Sequence, residues 1–296
     1  MNGILPLWKP KGLTSHDCVV KVRKLFKTKK VGHTGTLDPE VEGVLPICIG
    51  EATKIVPFLT DTKKTYVADV SLGMSTDTED SHGQPLEMME VDQLPSDEEI
   101  NLALQAFKGC ITQVPPMYSA VKVNGKKLYE YAREGIEVER PRREVYIYGI
   151  QYLASNPESK TFKIEVECSK GTYIRTLSVD IGKKLGFPAH MADLTRLRTG
   201  AFSKKNSVTF AMIEKAVEDQ EQHKLLNPIL CGIQHLDVLN VDKETRNKVK
   251  NGQKLPFEQS MNTDPFAVLF EEELLAIYQI HPDKPDQLKP VRVFQG

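Results

Sequence analysis

Residues 31–54, VGHTGTLDPEVEGVLPICIGEATK, constrain the fold more than any other stretch. A loop rich in glycine and threonine carries a single Asp and runs into an apolar stretch at 44–49. Such a stretch reads as a buried strand, which anchors the loop from behind. Gly32 and Gly35 open backbone conformations closed to other residues and let a ligand approach closely. The step Asp38-Pro39 favours a turn entered from an extended Asp. The loop therefore either holds a carboxylate or makes an ordinary Asp-Pro surface turn, and residue habits alone favour the turn.

Around this loop the periodicity alternates between strand and helix. A short strand at 4–8 ends in the turn Lys9-Pro10-Lys11-Gly12, after which Thr14 or Ser15 caps a helix to about Phe26. A short helix broken near Pro57 and a strand at 64–72 follow, and the acidic segment after them, with Gly83 and Pro85, reads as a loop. Ser96 with Glu99 makes a capping box for a helix stopped by Gly109. Asn124-Gly125 is a hairpin signal, and 127–134 a helical turn. Strands at 144–153 and 161–168 precede a helix with Ile174, Leu177, Ile181 and Leu185 inward and Gly186 closing it. Residues 194–200 read as strand or loop, and 209–217 and 224–230 as helical. Beyond 236, short strands at 238–241, 266–270 and 274–280 with one helix near 245–249 suggest a small, mostly β appendage.

With 296 residues, 40% of them hydrophobic, the chain suffices for one large domain and a small one. The net charge of −1 averages over segregated blocks. Lys21, Arg23, Lys24, Lys27, Lys29 and Lys30 occupy 19–37 without an acid, whereas 77–99 holds nine acids and no Lys or Arg. Further basic clusters are Lys122/Lys126/Lys127, Arg140/Arg142/Arg143 and Arg196/Arg198/Lys204/Lys205. Each block alone is an ordinary solvated face, but their repetition beside glycine-rich loops points to a phosphate-binding surface.

Several chemistries lack support. No GxxxxGK[ST], GxGxxG or GxSxG occurs, so nucleotide use or a serine nucleophile through those motifs is unsupported. Five scattered cysteines without CxxC suit a reducing compartment, and the seven histidines show no HExxH, so no metal is expected. No apolar run is long enough to cross a bilayer and no secretory leader is evident, which makes cytoplasm the expected location.

What remains is Asp38 with His33, Tyr66 at a strand start, and Tyr173 with Arg175 at a helix start. A carboxylate acts as nucleophile or base only when ionised, which a nearby Arg favours, and an aromatic offers a stacking face to an unstacked base. Taken singly, Arg175 is also an ordinary salt-bridge residue, Tyr66 a strand aromatic and His33 a loop hydrogen-bonder.

The run at 31–54, with KPKGLTSHD before it and KTYVADVSLG, VPPMYSAVKVNGKKLYEYAREG and SKGTYIRTL after it, resembles the TruB family of tRNA pseudouridine synthases in order over nearly all of 3–210. The tail resembles the PUA-like RNA-binding module of those enzymes. The resemblance implies an α+β pseudouridine synthase fold: a mixed, largely antiparallel sheet flanked by helices in a catalytic domain at 1–235, and a small β-rich PUA-like domain at 236–296. It implies that Asp38 is the catalytic aspartate, Tyr66 the tyrosine stacking on the target base and Arg175 the arginine paired to the aspartate. Tyr173 and Leu194 match pocket-wall positions, His33 the histidine that helps open the T loop, and Lys9 and Pro10 an N-terminal contact near the site. Residues 113–143 correspond to the family's thumb. Lys126 and Arg142 there, and Arg196, count among the substrate-binding residues.

The implied reaction isomerises uridine 55 in the T loop of tRNA, with the base flipped into a pocket. The N1–C1′ bond breaks and uracil rejoins through C5 without net redox change, so no cofactor is expected. Asp38 acts at ribose C1′, at uracil C6 or by way of a glycal; the sequence leaves all three open. The expected partner is the tRNA T arm, with no membrane, no obligatory protein partner and a monomeric state. Two rivals remain: a guide-RNA-dependent enzyme acting on ribosomal RNA, and a non-catalytic tRNA-folding chaperone. The guide-dependent relatives carry a longer N-terminal extension, whereas here the KPKG turn falls within the first dozen residues and a thumb is present, favouring a stand-alone tRNA enzyme.

Overall fold

The computed structural model describes residues 1–257 and 261–295; residues 258–260 and Gly296 of the expected C-terminal module lie outside it. In chain order, β1 (Gly3–Lys9) leads to α1 (Ser15–Leu25), then β2 (Val31–His33) and β3 (Glu42–Ile49). A 3₁₀ turn (Gly50–Ile55) and α2 (Val56–Thr60) precede β4 (Lys64–Leu72), β5 (Met74–Thr76), β6 (Pro85–Met88), α3 (Asp97–Gln105) and β7 (Gly109–Gln113). Next come β8 (Lys122–Val123), β9 (Lys126–Lys127), α4 (Leu128–Arg133), β10 (Arg143–Asn156), β11 (Thr161–Cys168), α5 (Ile174–Leu185) and β12 (Ala189–Thr199). After β13 (Phe202–Ser203) and α6 (Phe210–Glu218), the C-terminal part holds β14 (Val238–Asn240), α7 (Lys243–Lys250), β15 (Leu255–Pro256), β16 (Phe266–Phe270), β17 (Glu273–His281) and β18 (Lys284–Val293).

The chain divides into two compact units, one of residues 1–39, 44–62 and 200–296, the other of 40–43 and 63–199. The second is built on an antiparallel sheet of order β12-β4-β11-β10-β7. Its alternate residues Ala68, Val70, Leu72, Phe162, Ile164 and Val166 are buried, the period of two expected of a sheet with one covered face. Helix α5 packs its buried Ile174, Leu177 and Ile181 within this unit and ends on Gly186, whose φ of 86° is the left-handed closing conformation. Glu42 and Gly43 pair in parallel with Thr195 and Arg196 of β12. A Cβ on Gly43 (φ 131°) would lie 2.2 Å from the Arg196 carbonyl oxygen, so only glycine fits there. Asn124 (φ 50°) and Gly125 (φ 82°) make the tight turn of the β8–β9 hairpin.

In the first unit β3 lies beside β1 and pairs with β2, and a five-stranded sheet of order β14-β16-β17-β18-β15 holds the C-terminal residues. These two parts share a core: Ile4, Val44, Cys48, Ile55 and Leu59 pack in one cluster with Ala267, Leu269, Ile277 and Phe294. The tail that reads as an appendage in sequence is thus built into the packing of the N-terminal strands.

Some elements differ from expectation. The acidic segment after β4 is not all loop, because β5 and β6 pair as a short hairpin closed by Asp77, whose carboxylate accepts from Gln84 N–H at 2.7 Å. Helix α3 ends at Gln105, four residues before Gly109, which instead opens β7 with a φ of 103°. The helix expected at 224–230 is two 3₁₀ turns, Gln222–Leu225 and Ile229–Gly232, separated by Pro228. Strands β15 and β18 were not legible, since 284–293 carries two prolines and little alternation. No helix among the described residues is long and apolar enough to cross a membrane.

Candidate active site

The Asp38 loop is held by its own unit. Thr14 caps α1 through a capping box with Asp17, which places Ser15 at the first helical turn. The Ser15 hydroxyl donates to the Leu37 carbonyl at 3.1 Å and accepts from the Leu37 N–H at 2.9 Å. On the other side of Asp38, the Pro39 carbonyl accepts from Gly12 N–H at 3.0 Å and from the Lys9 ammonium at 2.9 Å. Lys9 is fully buried, and its Nζ also donates to the carbonyls of Pro10 (2.9 Å) and Leu13 (2.6 Å). A buried ammonium persists where its protons meet acceptors, so Lys9 acts as a rivet beneath the turn. Leu37 is buried, while Asp38 itself is half-buried. The backbone on either side of one carboxylate is therefore fixed, the preorganisation that directed chemistry needs. Of the two glycines, Gly35 has a left-handed φ of 82°, a conformation that favours glycine; Gly32 lies in β2, where a Cβ would meet Val56 at an ordinary 3.6 Å. His33 ends β2 opposite Ile47 and is half-buried.

Lys9, Pro10, His33 and Asp38 belong to the first unit; Tyr66, Lys126, Arg142, Tyr173, Arg175, Leu194 and Arg196 belong to the second. Within the second, β4 brings Tyr66 between Val166 of β11 and Arg196 of β12 as cross-strand neighbours. Arg196 is 1% exposed, and Leu194, opposite Ala68, is also buried. Arg175 stands in the first turn of α5 and is 6% exposed. Its Nη1 donates to the Thr78 carbonyl at 3.0 Å and its Nη2 to the Tyr118 carbonyl at 2.9 Å, with an Asp80 carboxylate oxygen at 4.0 Å. The next residue, Thr176, donates its hydroxyl to Glu79 at 2.6 Å. Burial pushes the Glu79 carboxyl upward, opposed by the Thr176 hydrogen bond and by the Arg175 charge. Lys126 pairs with Glu134 and lies 4.9 Å from the Tyr131 ring centre, and Arg142 is exposed.

Sequence reasoning passed over the residues that hold Arg175 and Tyr173. Thr78 and Glu79 lie in an acidic block that reads as solvated, and Gln113 opens the 113–143 segment, which corresponds to the thumb of the family it resembles. No spacing links them to α5; the tertiary fold does. All five cysteines are free, and burial pushes the Cys48 thiol up to about 12 and the Cys168 thiol up to about 11. Among the described residues no group of three or more His, Cys, Asp and Glu is arranged to hold a metal ion.

The chain is similar over 99% of its length to a chain in the crystal structure of a Cbf5-Nop10-Gar1 complex, at 27% identity and a TM-score of 0.74, covering 84% of that chain. A chain in the structure of an H/ACA RNP bound to a substrate RNA containing 2′-deoxyuridine matches at 25% identity and 0.75, over 99% of this chain and 85% of that one. The architecture is the pseudouridine synthase fold, and the chain is an isomerase of that class. Residues 23–174 match the TruB family pseudouridylate synthase N-terminal domain and 175–236 the tRNA pseudouridylate synthase B C-terminal domain, so the chain belongs to the TruB family. It is 61% identical to tRNA pseudouridine synthase B of Oceanobacillus iheyensis, over 99% of this chain and 98% of that protein. It is 53% identical to the protein of that name from Listeria innocua, over 100% and 99%.

Proposed function

We propose that the protein isomerises uridine 55 in the T loop of tRNA, with Asp38 as the reacting carboxylate. The N1–C1′ bond breaks, uracil turns, C5 bonds to C1′, and the proton lost from C5 is balanced by one gained at N1. Atoms and electrons balance without a redox partner or phosphoryl donor, and no cofactor enters. Asp38 acts by attack or proton transfer. Tyr66 offers the flipped base a stacking face, and Arg175 keeps the carboxylate ionised. Tyr173 and Leu194 line the pocket, His33 assists opening of the T loop, and Lys9 and Pro10 support the Asp38 turn. Residues 113–143 act as a thumb on the T arm with Lys126 and Arg142, Arg196 contributes to substrate binding, and 236–296 forms a PUA-like RNA-binding module. The enzyme works as a cytoplasmic monomer without an obligatory protein partner.

The observation that supports this most is the clamp on both peptide neighbours of Asp38, by Ser15 on one side and Lys9 with Gly12 on the other. A surface turn needs no such restraint, whereas a carboxylate that must meet one atom of a flipped nucleoside does. The test is incubation of the purified protein with an unmodified tRNA transcript and with an isolated T-arm hairpin, reading pseudouridine at each position. Product at position 55 on both, without added RNA or protein, is expected, and product that requires a guide RNA would favour a guide-dependent enzyme. Asp38→Asn should lose turnover by at least about 10³-fold while tRNA still binds. Retained isomerisation in that variant rejects the assignment.

A further inference from the structure

Strand β7 ends on Gln113, and residues 114–142 leave the sheet there and return at Arg143, which is paired with Gln113 across β10. The Gln113 side chain is 1% exposed and makes both its hydrogen bonds to one residue. Its Nε2 donates to the Tyr173 carbonyl at 3.0 Å, and its Oε1 accepts from the Tyr173 N–H at 2.9 Å. Tyr173 is the N-cap of α5, and its own side chain makes no capping hydrogen bond. The opening N–H groups of a helix lack intrahelical partners, so its start is fixed by what lies outside it. Here that is an amide imitating one rung of a β-ladder. Five residues beyond Gln113, the Tyr118 carbonyl accepts from Arg175. The root of the 113–143 segment thus touches the first turn of α5 twice, once at the backbone of Tyr173 and once at the guanidinium of Arg175.

We propose that Gln113 is a positioning residue for the isomerisation: its amide sets the start of α5 against the root of the 113–143 segment and so fixes the aim of Arg175. The inference rests on the reading of Arg175 as the charge partner of the reacting carboxylate. The chemistry of the contact is selective. Only a group with a donor and an acceptor side by side, at the length of Gln, satisfies both the N–H and the C=O of Tyr173. Ionised Glu would set a carboxylate against a carbonyl, and Met would fill the space but leave the Tyr173 N–H unpaired and its carbonyl with only the Leu177 N–H. Protonated Glu restores the pattern, since its O–H donates where the amide N–H did.

The test measures single-turnover isomerisation and tRNA Kd for Gln113→Glu, Gln113→Met and Arg175→Ala, with thermal melting of each. Both Gln113 variants should lose about 10²-fold in rate near neutral pH while Kd stays within about threefold, because misaim costs rate and not binding. The Gln113→Glu rate, taken relative to wild type at each pH, should rise as pH falls from about 8 to about 6, since burial raises the carboxyl into that range. Adding Gln113→Glu to Arg175→Ala should cost little more than Arg175→Ala alone, because both act through the same group. Wild-type rates in both Gln113 variants beside a dead Arg175→Ala overturn the proposal alone. A wild-type rate in Arg175→Ala overturns the reading beneath it. Losses confined to Kd assign Gln113 to substrate binding and also overturn it. Should Gln113→Met fail to fold, the pH profile of Gln113→Glu decides: a ratio to wild type that does not change with pH rejects the amide pairing.

Discussion

Glu79 shows how much one carboxyl beside the α5 start can matter. It has a left-handed φ of 63°, takes the Thr176 hydroxyl, and is pushed above its ordinary value of 4.5 mainly by burial, with Asp180 adding to the push and Thr176, Arg175 and Arg140 opposing it. A raised carboxyl means that the folded chain holds its proton more tightly than the unfolded chain. Its ionisation therefore costs stability progressively as pH rises from about 4.5 through the raised value. Glu79→Gln keeps an oxygen for Thr176 and removes the titration. The melting temperature of the variant minus that of wild type should then be flat below that window and climb across it. A difference independent of pH would show that Glu79 is not held this way. At this scale residue type marks candidates, as with Asp38, Tyr66 and Arg175, whose proposed roles rest on the family resemblance. The sequence was illegible where a residue acts through geometry: Gln113 and Glu79 have no local pattern, because their partners are 60 and 97 positions away.

Elements were easier to read than their joints. Strand β4 at Lys64–Leu72, β11 at Thr161–Cys168 and α5 with its Gly186 stop match the periodicities closely, because each buries one face in a regular repeat. The β5–β6 hairpin escaped notice because its second strand is exposed throughout and starts on a proline. The basic helix α1 also changed meaning: Lys21 is bonded to Glu214 at 2.8 Å and lies over the Phe210 ring, and Arg23 donates to the Val31 carbonyl at 3.1 Å. Part of that charge block holds the fold rather than waiting for phosphate. The joint between β3 and β12 gives a sharp prediction. Gly43→Ala puts a methyl 2.2 Å from a backbone oxygen at a φ of 131°. It should destabilise by about 3 kcal/mol or more in denaturant titration, from overpacking and backbone strain together. A loss below about 0.5 kcal/mol would mean that the strand shifts freely at this joint.

For the whole molecule, charge and packing make separate predictions. The affinity for tRNA should fall linearly on a log–log plot as salt rises, and Arg142→Ala should lower the slope by about one, the signature of one lost phosphate contact. An unchanged slope would remove Arg142 from the RNA surface. The net charge of −1 gave no hint of this, because it sums over blocks of opposite sign. Packing was even less visible in the sequence: nothing in the composition after residue 236 shows that Ile277 and Phe294 complete a core with Ile4 and Ile55. Each such side chain contributes about 1.5–3 kcal/mol when buried.

That shared core bears on the order in which the chain is made. The unit built on β4, β10, β11 and α5 draws almost all its residues from one continuous stretch, 63–199, and can close while synthesis continues. The unit that holds Asp38 takes residues 1–39 and 44–62 and then waits for 200–296. Its core includes Phe294, which follows β18. On the ribosome Asp38 would be translated early, and its unit would be completed only once β16, β17 and β18 have followed. A nascent chain stalled near residue 235 should resist protease across 63–199 and remain cleavable within 1–62 until the final strands emerge.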